Sequence, residues 1–163
     1  MTDSILSAVT TALVAAGVPT IRAWPETALD PGDACVCVEM KSCKASGSGM
    51  GEYLGIRAGA GGAADTELYG LRVETEIGLT VLAPTAADCT DTLDAVSAAM
   101  DSLPAGLKVQ ALCSGAVQPD KRAGMFRCEA SLCAWAYFIA ESDEETGLFT
   151  DFELKGVIRN ADE

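Results

Sequence analysis

The chain has no histidine. This removes the usual general base, the Ser-His-Asp and Cys-His nucleophile pairs and the commonest transition-metal ligand. A conventional hydrolase is the class most directly excluded. Bases are also scarce, with 11 Lys and Arg against 24 Asp and Glu and a net charge of −13. Tight nucleic-acid binding depends on cations that neutralise phosphate, so no such partner is expected. No apolar run approaches the ~18 residues of a membrane-spanning helix, and no membrane partner is expected. The opening Met1-Thr2-Asp3-Ser4 has an acid and no basic segment, unlike a secretory signal.

No Cys-x-x-Cys occurs among the seven cysteines, Cys35, Cys37, Cys43, Cys89, Cys113, Cys128 and Cys133. Neither a zinc ribbon nor a redox dithiol is signalled. An odd count leaves at least one thiol unpaired in a monomer. Cys35 and Cys37 share one face of a predicted strand and are badly placed to bridge. The cysteines read as small, mostly buried apolar residues of a reducing compartment. No metal and no cofactor is expected.

What is present is a chain of 163 residues, nearly half of them apolar, long enough for one domain with a substantial core. Residues 3–16 predict a helix, with Ile5, Val9, Leu13 and Ala16 at helical spacing and Gly17 as its stop. Val18–Trp24 reads as a short strand and 25–33 as a loop. Ala34–Cys43 alternates as a strand. Leu71–Leu82 does so more clearly, with Leu71, Val73, Thr75, Ile77, Leu79 and Val81 on the core side. Arg72, Glu74, Glu76 and Thr80 are expected on a wet side. Thr85-x-x-Asp88 resembles a capping box, and Cys89, Leu93, Val96, Met100 and Leu103 form the stripe of a second helix that Pro104 ends. Leu107–Val117 reads as a strand, 119–124 as a turn, and Met125–Ala140 as a long strand. The second side of that last strand becomes apolar after Cys133, so helix 1 or a neighbouring subunit is expected to cover it. Leu148–Ile158 predicts a short edge strand. The fold class is therefore α+β, a mostly antiparallel mixed sheet with two amphipathic helices on one face.

Between the two alternating strands lies Ala45–Gly70, a 26-residue stretch with eight of the sixteen glycines. Uninterrupted loops of this length are uncommon in compact domains and are usually functional or disordered. This one carries Met50, Tyr53, Leu54, Ile56, Leu68 and Tyr69. It reads as a projecting, flexible hairpin arm whose candidate contact residues are Met50, Tyr53, Leu54, Ile56 and Tyr69. The alternative is a plain extension of the flanking strands, with Tyr53 packed on its own scaffold. Gly47-Ser48-Gly49-Met50-Gly51 lacks the spacing of a phosphate loop, and no helix pattern follows it.

Charge is unevenly spread. The C-terminal segment 141–163 has eight acids against two bases, a net of −6. Asp88, Asp91, Asp94 and Asp101 lie on the second helix or at its end. Residues 105–130 have four bases (Lys108, Lys121, Arg122 and Arg127) against two acids, a net of +2. These are candidate inter-subunit patches of opposite sign. Solvated faces are the plainer reading. Asp91 and Asp94, three apart, could also meet as a carboxylate pair.

The layout of a short helix, a strand pair spanning an arm, an acidic helix and a final strand pair resembles bacteriophage tail terminator proteins, also called tail completion or minor tail protein U-like proteins. The stretch Lys41-Ser42-Cys43-Lys44-Ala45-Ser46-Gly47-Ser48-Gly49-Met50-Gly51-Glu52-Tyr53-Leu54-Gly55 is similar to the arm of prophage members. Pro119-Asp120-Lys121-Arg122 leading to Met125-Phe126-Arg127-Cys128, and Phe149-Thr150-Asp151-Phe152-Glu153, add to the likeness. The resemblance covers nearly the whole chain, as a single tail-terminator-like domain over 1–163. It implies a non-enzymatic subunit of a hexameric ring with no catalytic residues. Such a ring caps the tail tube, joins it to the head connector, and belongs to the virion and, during assembly, the bacterial host cytoplasm. The partners implied are further copies of the chain, the tail tube protein and the head-tail connector protein. Rival readings are a tail tube or neck subunit, which would polymerise by itself, and a metal-dependent enzyme with paired carboxylates.

Overall fold

Ile5, Val9, Ala12 and Leu13 bury one side of α1 (Thr2–Ala15). Ala16, expected on that stripe, is exposed because the helix has already ended. The Val18 N–H donates to the Leu13 carbonyl and the Gly17 N–H to the Val14 carbonyl, both at 3.0 Å, the Schellman pattern of a helix C-terminus. Val18 is buried at this exit. The chain then enters β1 (Thr20–Arg22), shorter than the strand expected over 18–24. In the computed structural model the described residues are 2–22, 33–47, 52–57, 66–104, 106–142 and 149–153. Trp24 and, apart from Asp33, the loop expected over 25–33 lie outside them.

The remaining strands are β2 (Cys35–Gly47), β3 (Tyr53–Arg57), β4 (Thr66–Ala83), β5 (Leu107–Ser114), β6 (Gln118–Asp120), β7 (Met125–Ser142) and β8 (Phe149–Glu153). They form a mixed, mostly antiparallel sheet in the order β1-β2-β4-β7-β5. β3 adds to β4, and β6 and β8 add to β7. β1 runs parallel to β2, pairing Thr20 with Val36 and Arg22 with Val38. With its two helices this is the α+β fold that the hydrophobic periods predict. The chain packs as two compact units. One comprises Met1–Cys43, Thr75–Pro104 and Val109–Ala134, and the other Lys44–Glu74, Ala105–Lys108 and Trp135–Glu163.

In the first unit α2 (Ala86–Ala99) starts at Thr85, whose hydroxyl oxygen accepts from the Asp88 N–H at 3.1 Å. The same hydroxyl donates to the Asp88 carboxylate at 2.7 Å. Asp is too short to reach back to the cap backbone as Glu does in a full capping box, so it ties the cap side chain instead. Cys89, Val96 and Ala99 are buried, and Met100 continues the stripe into a 3-10 turn (Met100–Ser102). Leu93 and Leu103 are half-buried. The Cys89 thiol lies 4.0 Å from the Val81 carbonyl, which seats α2 on β4, and α1 packs against α2 and the 3-10 turn.

On β4 the expected core side holds, with Val73, Thr75, Ile77, Leu79 and Val81 buried and Leu71 half-buried. Thr75 is accommodated because its hydroxyl donates to the Ala134 carbonyl at 3.2 Å. The expected wet side is wet only in part. Glu74 is exposed and Arg72 and Glu76 half-buried, but Gly78, Thr80 and Leu82 on that side are buried. Neighbours supply the cover. The stems of Lys41 and Glu39 lie over Gly78, where an added Cβ would sit 2.6 Å from Lys41 Cε. Leu82 packs with Cys35 and Met125, flanked by Ile21 and Ala123. Each fully buried aliphatic side chain contributes roughly 1.5–3 kcal/mol, so this second small core matters to the stability of the unit.

The strand expected over 107–117 stops at Ser114. The Gly115 N–H donates to the Glu129 carbonyl at 2.8 Å, and β6 then pairs with β7, Gln118 opposite Arg127 and Asp120 opposite Met125. The expected turn is thus the loop 121–124 of a hairpin, with 118–120 in strand.

In the second unit β4 and β7 approach so closely at Gly70 that an added Cβ would lie 2.0 Å from the Phe138 carbonyl oxygen. Only glycine fits there. The Arg72 guanidinium stands 4.9 Å above the Trp135 ring, and Trp135 meets Tyr137 edge to face at 5.2 Å. Arg72 therefore covers Trp135 on the side expected to lie under helix 1 or a neighbouring subunit. Trp135 and Tyr137 are half-buried and Ile139 is buried. β8, shorter than the strand expected over 148–158, pairs antiparallel with the end of β7, Ile139 opposite Glu153. Residues 143–148 and 154–163, most of the acidic C-terminal segment, lie outside the described residues.

Candidate assembly interface

Apart from Glu52, which stands just before β3 with φ 65°, the described parts of the stretch 45–70 are strand. Ala45–Gly47 ends β2, Tyr53–Arg57 is β3, and Thr66–Gly70 begins β4. β3 and β4 pair antiparallel, with Tyr53 opposite Tyr69, Gly55 opposite Leu68, Ile56 opposite Glu67 and Arg57 opposite Thr66. β3 thus adds to the start of β4, and the residues that join it to β2 and to β4, 48–51 and 58–65, lie outside the described residues. Met50 lies outside the described residues.

The pairing has a β-bulge between Tyr53 and Gly55. Tyr53 and Ile56 are three residues apart, and in a regular strand they would point to opposite faces. The extra residue, Leu54, shifts the alternation by one and brings both side chains to the face that carries Tyr69 and Glu67. Gly55 makes this possible with φ 135°, a conformation that side-chain-bearing residues rarely adopt. The result is an outward apolar cluster, with Tyr53 39 %, Ile56 54 % and Tyr69 40 % exposed. The two tyrosine rings meet edge to face at 5.7 Å. The Tyr69 hydroxyl donates to the Glu67 carboxylate at 2.7 Å, and this bond pushes its pKa up. Leu54 departs from the expected set. Its side chain turns inward and reaches to 2.9 Å of the position a Gly70 Cβ would take. Leu68 is buried on that inner side.

The first unit carries a cleft of about 560 Å³ over the β6–β7 hairpin. It is lined by Gly115, Ala116, Gln118, Pro119, Asp120, Lys121, Arg122, Arg127 and Glu129. Three of the four expected bases meet here. Lys108, half-buried at the start of β5, is in the other unit and does not line the cleft. The Asp120 carboxylate accepts the backbone N–H of Arg122 at 2.9 Å and of Ala123 at 3.3 Å. These bonds pull its pKa below the ordinary range, with smaller help from the Arg127 and Arg122 charges. Glu129 pairs with Arg127. Sequence reading did not single out Asp120 or Glu129, although Pro-Asp before a turn is the residue pattern of this side-chain lock.

A second cleft of the first unit, about 360 Å³, is lined by Asp33, Ala34, Pro84, Asp88, Asp91 and Thr92. Asp88 and Asp91 thus share a site with Asp33, which the sequence did not mark. Asp94 and Asp101 are exposed and outside it.

Cys35, Cys37, Cys89 and Cys128 are buried, Cys43 and Cys133 half-buried and Cys113 exposed, and all seven are free. Burial pushes the four buried thiols up from their ordinary pKa, and for Cys37 the Glu39 carboxylate adds to it. Among the described residues no three Cys, Asp or Glu side chains converge as a metal site would need, and no helix is long and apolar enough to cross a membrane. Compared with known proteins, the chain matches no family description and no curated protein.

Proposed function

We propose that this protein is a non-enzymatic phage tail assembly protein of the tail-terminator type. It closes into a ring on the end of the tail tube and offers that ring to the head connector. The observation that carries the reading is the outward Tyr53–Ile56–Tyr69 cluster. Aromatic residues on a paired-strand scaffold are the side chains that anchor interfaces, because they bury much area at little entropic cost. Tyr53, at the start of β3, lies within the stretch 41–55, one of those that carry the resemblance to tail terminators. A ring that covers the last tube layer with this face occupies the surface on which the next tube subunit would add, so growth stops without chemistry. A strongly acidic ring also repels DNA that must pass through it.

The test is native mass spectrometry and negative-stain imaging of the purified protein, alone and with tail tubes. Rings, hexameric by resemblance, and capped tubes are expected. Tyr53→Ser with Ile56→Ser should remove capping while leaving the melting temperature near wild type. Tubes built from this chain alone would reassign it as a tube subunit. A strictly monomeric protein at high concentration, with and without tubes, would falsify the ring.

A further inference from the structure

The cleft over the β6–β7 hairpin presents Lys121 and Arg122 on a chain of net charge −13, and among the described residues neither makes an ion pair. We propose that it is the socket of a head-to-tail contact, in which the acidic rim of a second copy of this chain (Asp33, Asp88 and Asp91) seats against Lys121, Arg122 and Arg127. This rests on the ring reading above and adds where the subunits join and in which direction.

The acids lining the cleft are already engaged. Asp120 holds two backbone N–H groups of its own loop, and Glu129 holds Arg127. Among the described residues Lys121 and Arg122 make no ion pair, and both are exposed. The loop backbone that carries them is fixed, because the Asp120 side chain accepts two of its N–H groups and the Asp120 carbonyl accepts the Gly124 N–H at 2.9 Å. A loop already ordered loses less backbone entropy when an anion arrives. The rim that complements them is on the same unit, with three acids and no base. Asp88 and Asp91 are one helical turn apart on α2, and Asp91 is exposed.

The signs also set the symmetry. Either cleft placed against its own copy brings like charges together, which disfavours a two-fold dimer through that surface. Basic cleft against acidic rim joins two different patches, the heterologous contact from which rings are built. Exposed charge pairs are individually weak and screened by salt, so they set register and encounter rate, while apolar burial elsewhere supplies most of the affinity.

The test is a charge swap on the full chain. One protein carries Lys121→Glu with Arg122→Glu, the other Asp33→Lys with Asp91→Lys. Each alone should need about tenfold or more higher concentration to assemble, since like charges now face each other. An equimolar mixture should assemble as wild type does, because each variant then meets its complement. Lys121→Gln with Arg122→Gln, which leaves no repulsion, should give a smaller loss, and melting temperatures show whether each variant folds. Unimpaired assembly of either variant alone, or no rescue on mixing, overturns the socket while leaving the ring standing if wild type forms rings. If wild type does not assemble under any condition, both readings fall. If Lys121→Glu with Arg122→Glu blocks only tube capping and leaves self-association intact, the cleft belongs to another acidic protein and the proposal is overturned.

Discussion

At Gly70 the backbones of β4 and β7 leave no room for a methyl group, with the Phe138 carbonyl oxygen 2.0 Å from where it would sit. A rigid backbone atom cannot swing aside as a side chain can. Gly70→Ala is therefore expected to destabilise the protein by about 1–3 kcal/mol, the range for overpacking a tight site, as read by chemical denaturation. Wild-type stability in that variant would show that the strands separate at little cost. The cysteines make a second residue-scale case. Cys113 is exposed, and Cys35, Cys37, Cys89 and Cys128 are buried with raised pKa. Alkylation of the native protein should modify Cys113 first and reach the buried four only on unfolding. A thiol whose folded pKa is raised stabilises the fold fully below its unfolded pKa and loses that contribution as pH rises through the folded one. The denaturation midpoint should accordingly fall as pH climbs above about 8.5. A flat midpoint across that range would count against the buried thiols as its cause.

Among the elements, the β3–β4 hairpin turns on one extra residue. The bulge at Leu54 puts Tyr53 and Ile56 on one face, and Gly55 holds it at φ 135°. Gly55→Ala forces a side chain into a conformation that favours glycine and should destabilise the hairpin by ~1 kcal/mol or more. Hydrogen exchange of the Tyr53–Arg57 amides should speed up, while the amides of α2, in the other unit, keep their protection. Unchanged exchange at 53–57 would mean that the bulge does not depend on this glycine. The helices are ordinary by comparison. α1 ends where Gly17 and Val18 complete its last carbonyl bonds, and α2 begins where Thr85 meets Asp88.

For the whole molecule, charge acts in two directions. A subunit of net charge −13 repels itself, and salt screens that repulsion. Raising salt from about 0.05 to 0.5 M, a change that shortens the Debye length about threefold, should raise the melting temperature of the dilute subunit. The same salt should weaken assembly if basic clefts meet acidic rims. Opposite signs for the two measurements in one titration are the expected outcome. Assembly that strengthens with salt would point to apolar burial as the determinant of register as well as of affinity.

Periodicity by itself determined the α+β class, both helices, the long strands β4 and β7 and the core side of β4, because a buried face leaves its period in the order of residues. It also picked out Tyr53, Ile56 and Tyr69, since large apolar residues among glycines are conspicuous. Only the tertiary structure decided that Leu54 turns away from them, because a bulge is a property of two paired strands. It likewise decided that Gly78, Thr80 and Leu82 are covered, because the cover comes from neighbours distant in sequence, Lys41 and Glu39 over Gly78 and Cys35 and Met125 against Leu82. The same holds for the charges. The sequence counts four bases over 105–130, and folding selects Lys121, Arg122 and Arg127 for one cleft and groups Asp33 with Asp88 and Asp91. Net charge adds along a chain, but a charged surface depends on which residues the strands and helices bring together.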